Sequence, residues 1–222
     1  MNFREVINEV LTRMREENAP SWSGTILSAP NVEAYHKAVA ALVNDSKEYV
    51  ESSHEWTALR DSVDITTVSG TTVYELDVLQ GSRILDVTIT DENNSKVTQV
   101  TKTYMNSLKY PTVITGLPSG YRVKGVTTND KLNIEIVPSP TKAMTIRFDV
   151  VKAQPTLTDE TDILKVPSSP VVIGAWARAV AERGEDGGSA SPSLMTEAQM
   201  SLTKSIQVDS GYAEFESDWY VR

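Results

Sequence analysis

The sequence predicts an α+β fold: a helix bundle formed by the N- and C-terminal helices, with an inserted antiparallel β-sandwich or barrel-like domain. Two features carry this prediction. Apolar residues recur at the helical spacing of three and four near both ends of the chain, whereas the central part alternates with the period of a strand. The predicted parts are residues 1–60 for the N-terminal helices, 61–155 for the β domain, 156–208 for the C-terminal helices and 209–222 for an extended tail.

An amphipathic helix is predicted at the N-terminus, followed by a second, longer helix. The apolar stripe of the first consists of Phe3, Val6, Ile7, Val10, Leu11 and Met14. Asn31 is expected to cap the second helix, which runs to about Ser53. Because each helix has one apolar side, the two are predicted to pack as an antiparallel pair.

The central segment is predicted to form six or seven short strands. Ser69 and Gly70 supply the first turn, which predicts a hairpin that continues as a meander. A short helix over "TKTYMNSLKYP" should end before Pro111, since a residue that precedes proline avoids the helical conformation. Pro138 and Pro140 cannot donate to a ladder and are expected in a connection or at a sheet edge.

Two further helices are predicted after the strands. Ser168 or Ser169 is expected to cap the first, with Pro170 at the first helical position and an end near residue 184. The second helix stops at Gly211. Its apolar side consists of Leu194, Met195, Ala198, Leu202 and Ile206. Together with the N-terminal pair, these helices would complete a four-helix bundle.

Composition argues against several classes of protein. The chain is 40% hydrophobic and has no apolar run that could cross a bilayer. Its N-terminus lacks the apolar segment of a secretory signal, so export by that route is not expected. The absence of cysteine excludes disulfides and thiolate chemistry. A formal net charge of -9 argues against tight binding to the phosphate backbone of nucleic acid.

The chemical motifs of enzymes and metal sites are weak in this sequence. His36 and His54 lie about five turns apart on the predicted second helix, too far to share a metal, and "HEWTA" lacks the second histidine of the HExxH zinc signature. We therefore predict no metal, no cofactor and no enzymatic activity. The carboxylates of "DENN" and "DETD" leave one alternative open: a carbohydrate-active or carbohydrate-binding β protein, which would need a carboxylate of raised pKa.

The C-terminal segment "YAEFESDWYVR" shows no period but is rich in aromatic residues. Trp56 and Trp176 fall in helical stretches and are expected in the core, whereas Trp219 lies in this tail and has no core of its own. Exposed rings gain nothing unless they dock on another surface. The composition of the tail therefore predicts a docking segment.

The order of segments resembles that of a known family. The segments are "WTALRD" running into "ITTVSGTTVYELD", then "SRILDVTI", "KLNIEIVPSPTKAMTIRFDV" and "VPSSPVVIGAWARAVAERGEDGG". From Trp56 to Gly188 this arrangement resembles the head-to-tail adaptor proteins of tailed phages, also called tail tubular protein A in short-tailed phages. The segment "YELDVLQG" departs from the family pattern, in which a proline often follows the leucine.

The resemblance implies a structural virion protein. Such proteins form a dodecameric ring beneath the portal protein, extend the DNA channel and provide the attachment platform for a downstream tail protein, a nozzle or a tail tube. They would occupy the neck at the portal vertex after assembly in the host cytoplasm, without contact with a membrane. An acidic ring would repel phosphate, so that DNA passes without specific binding. Another tail component, such as a nozzle subunit, is a further alternative.

The resemblance also implies a role for the tail, because family members send their C-terminal segment to clasp the portal. The candidate portal-binding residues are Tyr212, Phe215, Trp219 and Tyr220, aromatic side chains of the kind that such docking favours. The alternative is that the tail folds back on its own bundle.

Overall fold

The computed structural model describes residues 1–92, 94–109, 114–184 and 190–211. Within these ranges the chain has the predicted α+β fold, with five α-helices and ten strands. The residues group into two compact units. The helical unit comprises Met1–Ala58 and the described residues from Pro155 onward, and the β unit comprises Leu59–Gln154.

Four of the five helices pack as one bundle in the helical unit. The helices are α1 (Phe3–Arg13), α2 (Ala34–Ser53), α3 (Lys102–Lys109), α4 (Ser168–Arg183) and α5 (Ala190–Ser210). The bundle consists of α1, α2, α4 and α5, and α4 contacts each of the other three. The short helix α3 belongs to the β unit. Its predicted end before Pro111 falls on residues 110–113, which lie outside the described residues.

Helix α1 forms where the sequence predicts it, because both its cap and its apolar stripe are satisfied. The Asn2 side chain accepts a hydrogen bond from the Glu5 backbone N–H at 2.8 Å, and the Glu5 carboxylate accepts one from the Asn2 N–H at 2.8 Å. Of the predicted stripe, five residues are completely buried, namely Phe3, Val6, Ile7, Val10 and Leu11. Burial of this stripe attaches α1 to the bundle.

Two predicted helix starts are wrong. Helix α2 begins at Ala34, with Glu33 at the N-cap position, because the amide of Asn31 is used elsewhere and donates to the Ser21 carbonyl at 2.6 Å. Helix α4 has Pro167 as N-cap, so that Ser168 is already helical. Pro170 therefore lies in the first turn rather than at the first position, and it is tolerated there because N–H groups of the first turn have no intrahelical acceptor.

The predicted end of α4 is confirmed. Gly184 adopts the left-handed conformation at φ 65°, and its N–H donates to the Val180 carbonyl at 3.2 Å. A residue without a Cβ adopts this conformation without strain, which is why glycine commonly ends helices.

The β unit is built from two four-stranded sheets and one two-stranded sheet. The strands are β1 (Arg60–Thr66), β2 (Val73–Leu79), β3 (Arg83–Ile89), β4 (Ser95–Lys96), β5 (Thr98–Gln99), β6 (Thr115–Gly116), β7 (Gly120–Val126), β8 (Lys131–Val137), β9 (Ser139–Pro140) and β10 (Thr145–Val151). The strand orders are β1-β10-β3-β4, β2-β8-β7-β5 and β6-β9. Strand β9 places Pro140 in the short sheet, in keeping with the expected edge position.

The predicted first hairpin is wrong, and of the predicted meander only the pairing of β3 with β4 is confirmed. Strand β1 pairs with β10, with Arg60 opposite Val151, and β2 pairs with β8. The turn at Gly70, which has φ 79°, instead carries the chain from one sheet to the other. An alternating pattern gives a strand one apolar side but does not select its partner, so that β1 and β2 can face one core from opposite sheets.

The two large sheets share a single hydrophobic core, which makes the β unit a sandwich. Its buried residues are Ile65, Leu76, Val78, Val87, Ile89, Val97, Tyr121, Leu132, Ile134, Ile136, Met144, Ile146, Phe148 and Val150. The rings of Tyr121 and Phe148 meet edge to face at 5.9 Å between centroids. Contacts of this kind hold together strands that lie far apart in the sequence.

Candidate interaction surface

Helix α5 buries very little of its surface. Against the part of the chain that the structure describes, Leu202 is the only buried residue among its 21 residues. The other members of the predicted apolar side, Leu194, Met195, Ala198 and Ile206, are half-buried or exposed. Two more apolar side chains lie outside that stripe and are more exposed, Met200 at 68% and Val208 at 54%. The helix thus presents apolar surface on a second side.

That second side forms one wall of an open groove of about 790 Å³. Residues of α5 that line it are Glu197, Met200, Ser201, Lys204, Ser205, Val208 and Asp209. The opposite wall comes from the segment around Trp56, from Lys165 to Pro167 and from the start of α4. Trp56, Val166 and Ile173 give the groove an apolar floor, since each is buried. Its volume is within the range of pockets that bind small molecules.

The groove is held in shape by hydrogen bonds at both ends. At one end, the Oγ atoms of Ser169 and Ser201 lie 2.9 Å apart and join α4 to α5. At the other end, Oδ2 of Asp209 lies 3.1 Å from Nε2 of His54 and accepts from the Thr57 backbone N–H at 3.0 Å. These bonds fix the end of α5 although few apolar contacts hold it.

Trp56 is positioned by the same segment. Its indole Nε1–H donates to the Val50 carbonyl at 2.9 Å, and its ring meets the His54 ring edge to face at 5.0 Å. The prediction that Trp56 lies in the core is confirmed, since 1% of its surface is exposed. Trp176 is only half-buried, and the guanidinium of Arg13 in α1 lies over its ring, 5.6 Å from the centroid.

A smaller cavity of about 190 Å³ lies on the other side of α5, between that helix, α2 and α4. Here α2 and α4 approach closely, because a Cβ on Gly174 would lie 3.4 Å from the Ser46 Oγ. That oxygen accepts from the Arg178 guanidinium at 2.6 Å. Helix α5 is therefore less tightly packed against the bundle than α4 is.

The carboxylates of "DETD" stabilise a loop by accepting hydrogen bonds. Asp162 accepts from the N–H groups of Thr158 and Asp159 at 2.7 and 2.8 Å. Asp159 accepts from the N–H and hydroxyl of Thr161 and from the Gly24 N–H. These hydrogen bonds, those from Thr161 above all, lower the pKa of Asp159. The direction is opposite to what a general acid requires.

In "DENN", Oδ2 of Asp91 accepts from the Thr145 N–H at 2.6 Å, and Glu92 pairs with Lys142. The two histidines have separate surroundings, His36 being buried within α2 and His54 lying beside Asp209. In the described ranges, no group of three or more histidine, aspartate or glutamate side chains could hold a metal ion.

The predicted portal-binding residues, Tyr212, Phe215, Trp219 and Tyr220, lie outside the described residues. They follow Gly211, directly after α5 and the groove. The groove itself was not predicted from the sequence. The sequence nevertheless contains a pattern that indicates it. Along the predicted last helix, a second side is formed at steps of four residues by Met200, Lys204 and Val208, away from the apolar stripe.

Comparison with models of protein families shows to which family this chain belongs. The model described as SU10 adaptor protein matches residues 1–214 and so covers both units. The chain belongs to the SU10 adaptor protein family. This confirms the resemblance to phage head-to-tail adaptors. A search of curated proteins gave no match.

Membership in the SU10 adaptor family identifies the protein as a phage adaptor and a component of the virion. The family implies contacts with portal and tail proteins in the virion neck, and it indicates a structural rather than an enzymatic role. None of the described helices is both long enough and apolar enough to span a membrane.

Proposed function

We propose that this SU10 adaptor forms a dodecameric ring beneath the portal protein, extends the DNA channel and provides the attachment platform for the tail. The observation that carries the proposal is the family match over residues 1–214. The downstream partner is a nozzle or tail tube protein. Assembly takes place in the host cytoplasm, and the finished ring occupies the neck at the portal vertex.

The charge of the chain supports a role as a channel. Each subunit has a formal net charge of -9, and a ring multiplies that charge around a common axis. Because DNA carries a dense negative charge, an acidic wall repels its phosphates and raises the free energy of any bound state. DNA therefore passes through the ring without specific binding.

The aromatic tail makes the contact with the portal in this proposal. Tyr212, Phe215, Trp219 and Tyr220 supply large apolar side chains with few rotatable bonds, which lose little entropy when they enter pockets of a partner. The tail follows the end of α5, which Asp209 fixes to the segment around Thr57. A tail that starts from a fixed point is well suited to reach a partner above the bundle.

The ring is tested by mixing the purified adaptor with its portal ring and imaging the mixture by electron microscopy. We expect added density with twelve-fold symmetry below the portal. Added density with six-fold or three-fold symmetry would instead favour another tail component. A lack of added density at high adaptor concentration would contradict the proposal as a whole.

The role of the tail is tested with two matched variants. In the first, the four aromatic residues Tyr212, Phe215, Trp219 and Tyr220 are replaced by serine. In the second, Glu214, Glu216 and Asp218 are replaced by their amides, which keeps the rings. We expect the serine variant to lose portal binding while the amide variant retains it. Unchanged binding by a folded serine variant would refute portal docking by these rings.

A further inference from the structure

We infer that the groove beside α5 holds the aromatic tail of the same chain before the portal is met. The contact covers the tail in the free subunit, and the portal then competes for the same aromatic residues. That the groove and the portal compete for the tail rests on the proposed docking of the tail on the portal. The contact itself is a property of the isolated chain.

The position and length of the tail favour this occupant. Val208 and Asp209 line one end of the groove, and the tail begins three residues after Asp209. The part of α5 that lines the groove, from Glu197 to Asp209, is about 18 Å long at the helical rise. Residues 212–222 reach about 36 Å when fully extended. After a reversal near Gly211, the tail can therefore follow the groove along its whole length without strain.

The chemistry of the groove matches the side chains of the tail. Trp56, Val166 and Ile173 form a buried apolar floor, and Met200 and Val208 add exposed apolar wall. Burying an apolar side chain is worth about 1.5–3 kcal/mol relative to its exposure. Methionine adapts its shape to irregular partners and makes favourable contacts with aromatic rings. The four rings of the tail thus find an apolar surface of suitable size next to their point of attachment.

The groove is lined by charges of both signs, because Glu197 and Asp209 lie there beside its two lysines, so these charges can orient the tail but give it no net attraction. Glu214, Glu216 and Asp218 alternate with the aromatic residues of the tail, whereas Lys165 and Lys204 stand on opposite walls of the groove. A segment laid between the two lysines brings its carboxylates near positive charge while its rings face the floor. Pairing of these charges favours one orientation over others more than it adds affinity.

The contact can be tested by disulfide trapping, because the chain has no cysteine of its own. The test variant combines Ser205→Cys in the groove with Ser217→Cys in the tail, both conservative changes. The control combines Thr203→Cys with Ser217→Cys. Thr203 is exposed and does not line the groove. It is only two residues from Ser205 but about 200° away around the helix, so a free tail would bridge to either position with a similar rate.

We expect the Ser205 variant to form its intrachain bridge about tenfold faster than the Thr203 control, because docking raises the effective concentration of the tail thiol in the groove. Bridging is followed in dilute, portal-free solution on non-reducing gels, with mass spectrometry to locate the bond. Equal rates would show a free tail and overturn the inference. Predominant covalent dimers from the Ser205 variant would place the tail of a second copy in the groove and overturn it too.

A substitution in the groove separates apolar docking from simple proximity. Met200→Asp added to the Ser205 variant should slow bridging to the control rate, whereas Gln207→Asp, an equal change of charge on an exposed residue outside the groove, should leave the rate unchanged. Bridging that persists with Met200→Asp would contradict an apolar contact. If bridging behaves as expected but the portal fails to bind the adaptor, portal docking is wrong and the groove contact stands.

Discussion

Helices α4 and α5 pack side by side, yet they bury very different fractions of their residues. Of the 16 residues of α4, eight are buried, and they lie on several sides of the helix. Against the described residues, α5 buries one residue of 21. In folded proteins most of the stability of a helix comes from tertiary packing of its apolar side rather than from helix propensity. Helix α4 therefore holds the bundle together, whereas α5 leaves apolar side chains such as Met200 and Val208 uncovered by the described residues.

The largest difference between α4 and α5 is expected when the same substitution is made in each helix. Val171→Asp in α4 places a carboxylate at a fully buried position and should cost about 3–5 kcal/mol, because the charge loses its hydration without gaining a partner. Val208→Asp in α5, made in a chain that ends at Gly211 so that no tail can cover the groove, should change stability by only about 0.5 kcal/mol, since its side chain is more than half exposed. Denaturant unfolding followed by far-ultraviolet circular dichroism measures both.

If Val171→Asp prevents folding altogether, Val171→Thr keeps the shape and buries one hydroxyl instead of a charge. We expect that variant to be measurable and still less stable than Val208→Asp. Equal losses for α4 and α5 would mean that the two helices contribute similarly to the bundle.

Leu202 is the residue through which α5 is attached, so its truncation should have the next largest effect. Leu202→Ala removes a side chain that is 7% exposed and should cost about 2–3 kcal/mol, the low end for a core leucine, because it already borders a cavity. Hydrogen exchange should show faster exchange of α5 amides and little change in α4. Thr203→Ala, at an exposed position of α5 outside the groove, is the control. Faster exchange throughout the bundle would contradict separate stabilities.

A smaller effect is expected at the end of α5. Asp209→Ala removes the acceptor of the Thr57 N–H and the partner of His54, and it should cost about 1–2 kcal/mol. The exposed Gln207→Ala is the matched change nearby. Thermal unfolding measures both variants, and a melting temperature for Asp209→Ala equal to that of Gln207→Ala would show that the bonds of Asp209 do not stabilise α5.

The smallest effect concerns the loop before α4, in which Asp159 and Asp162 accept hydrogen bonds from backbone N–H groups. Because hydrogen bonds lower the pKa of Asp159 in the folded state, its stabilisation is complete above the unfolded pKa of about 3.9 and is lost as the pH falls through the folded pKa. Asp159→Asn should therefore flatten the loss of stability between about pH 5 and pH 3. Asp45→Asn, at an exposed position, is the control, and identical acid limbs for both variants would contradict this assignment.

The sequence was sufficient to predict those features that depend on local pattern. The stripe from Phe3 to Leu11, the glycine stop at Gly184 and the alternation of the strands each follow from the period of one segment. Strand pairing could not be predicted, because the alternation in β1 fits β2 and β10 equally well, and the choice is made by a core that collects residues far apart in the chain.

The groove beside α5 was not predicted, again because contacts between segments far apart in the chain decide which residues are buried. Periodicity indicated that one side of α5 is apolar, but it could not show that α4 covers little beyond Leu202, since burial depends on the neighbouring helix. Met200 and Val208 were missed because they lie outside the dominant stripe. The aromatic tail residues, predicted from composition and resemblance, remain a prediction because they lie outside the described residues.

The pairing of β1 with β10 determines how the inserted β unit joins the two halves of the helical unit. Arg60 opposite Val151 brings the first and last residues of the sandwich to neighbouring strands. Once the sandwich is folded, its two ends lie close together. The loop-closure entropy for joining α2 to the segment before α4 is then small, because it depends on the distance between these ends and not on the number of residues in the insertion. Because α4 and α5 follow β10 in the chain, the bundle can be completed only after the whole insertion has been synthesised.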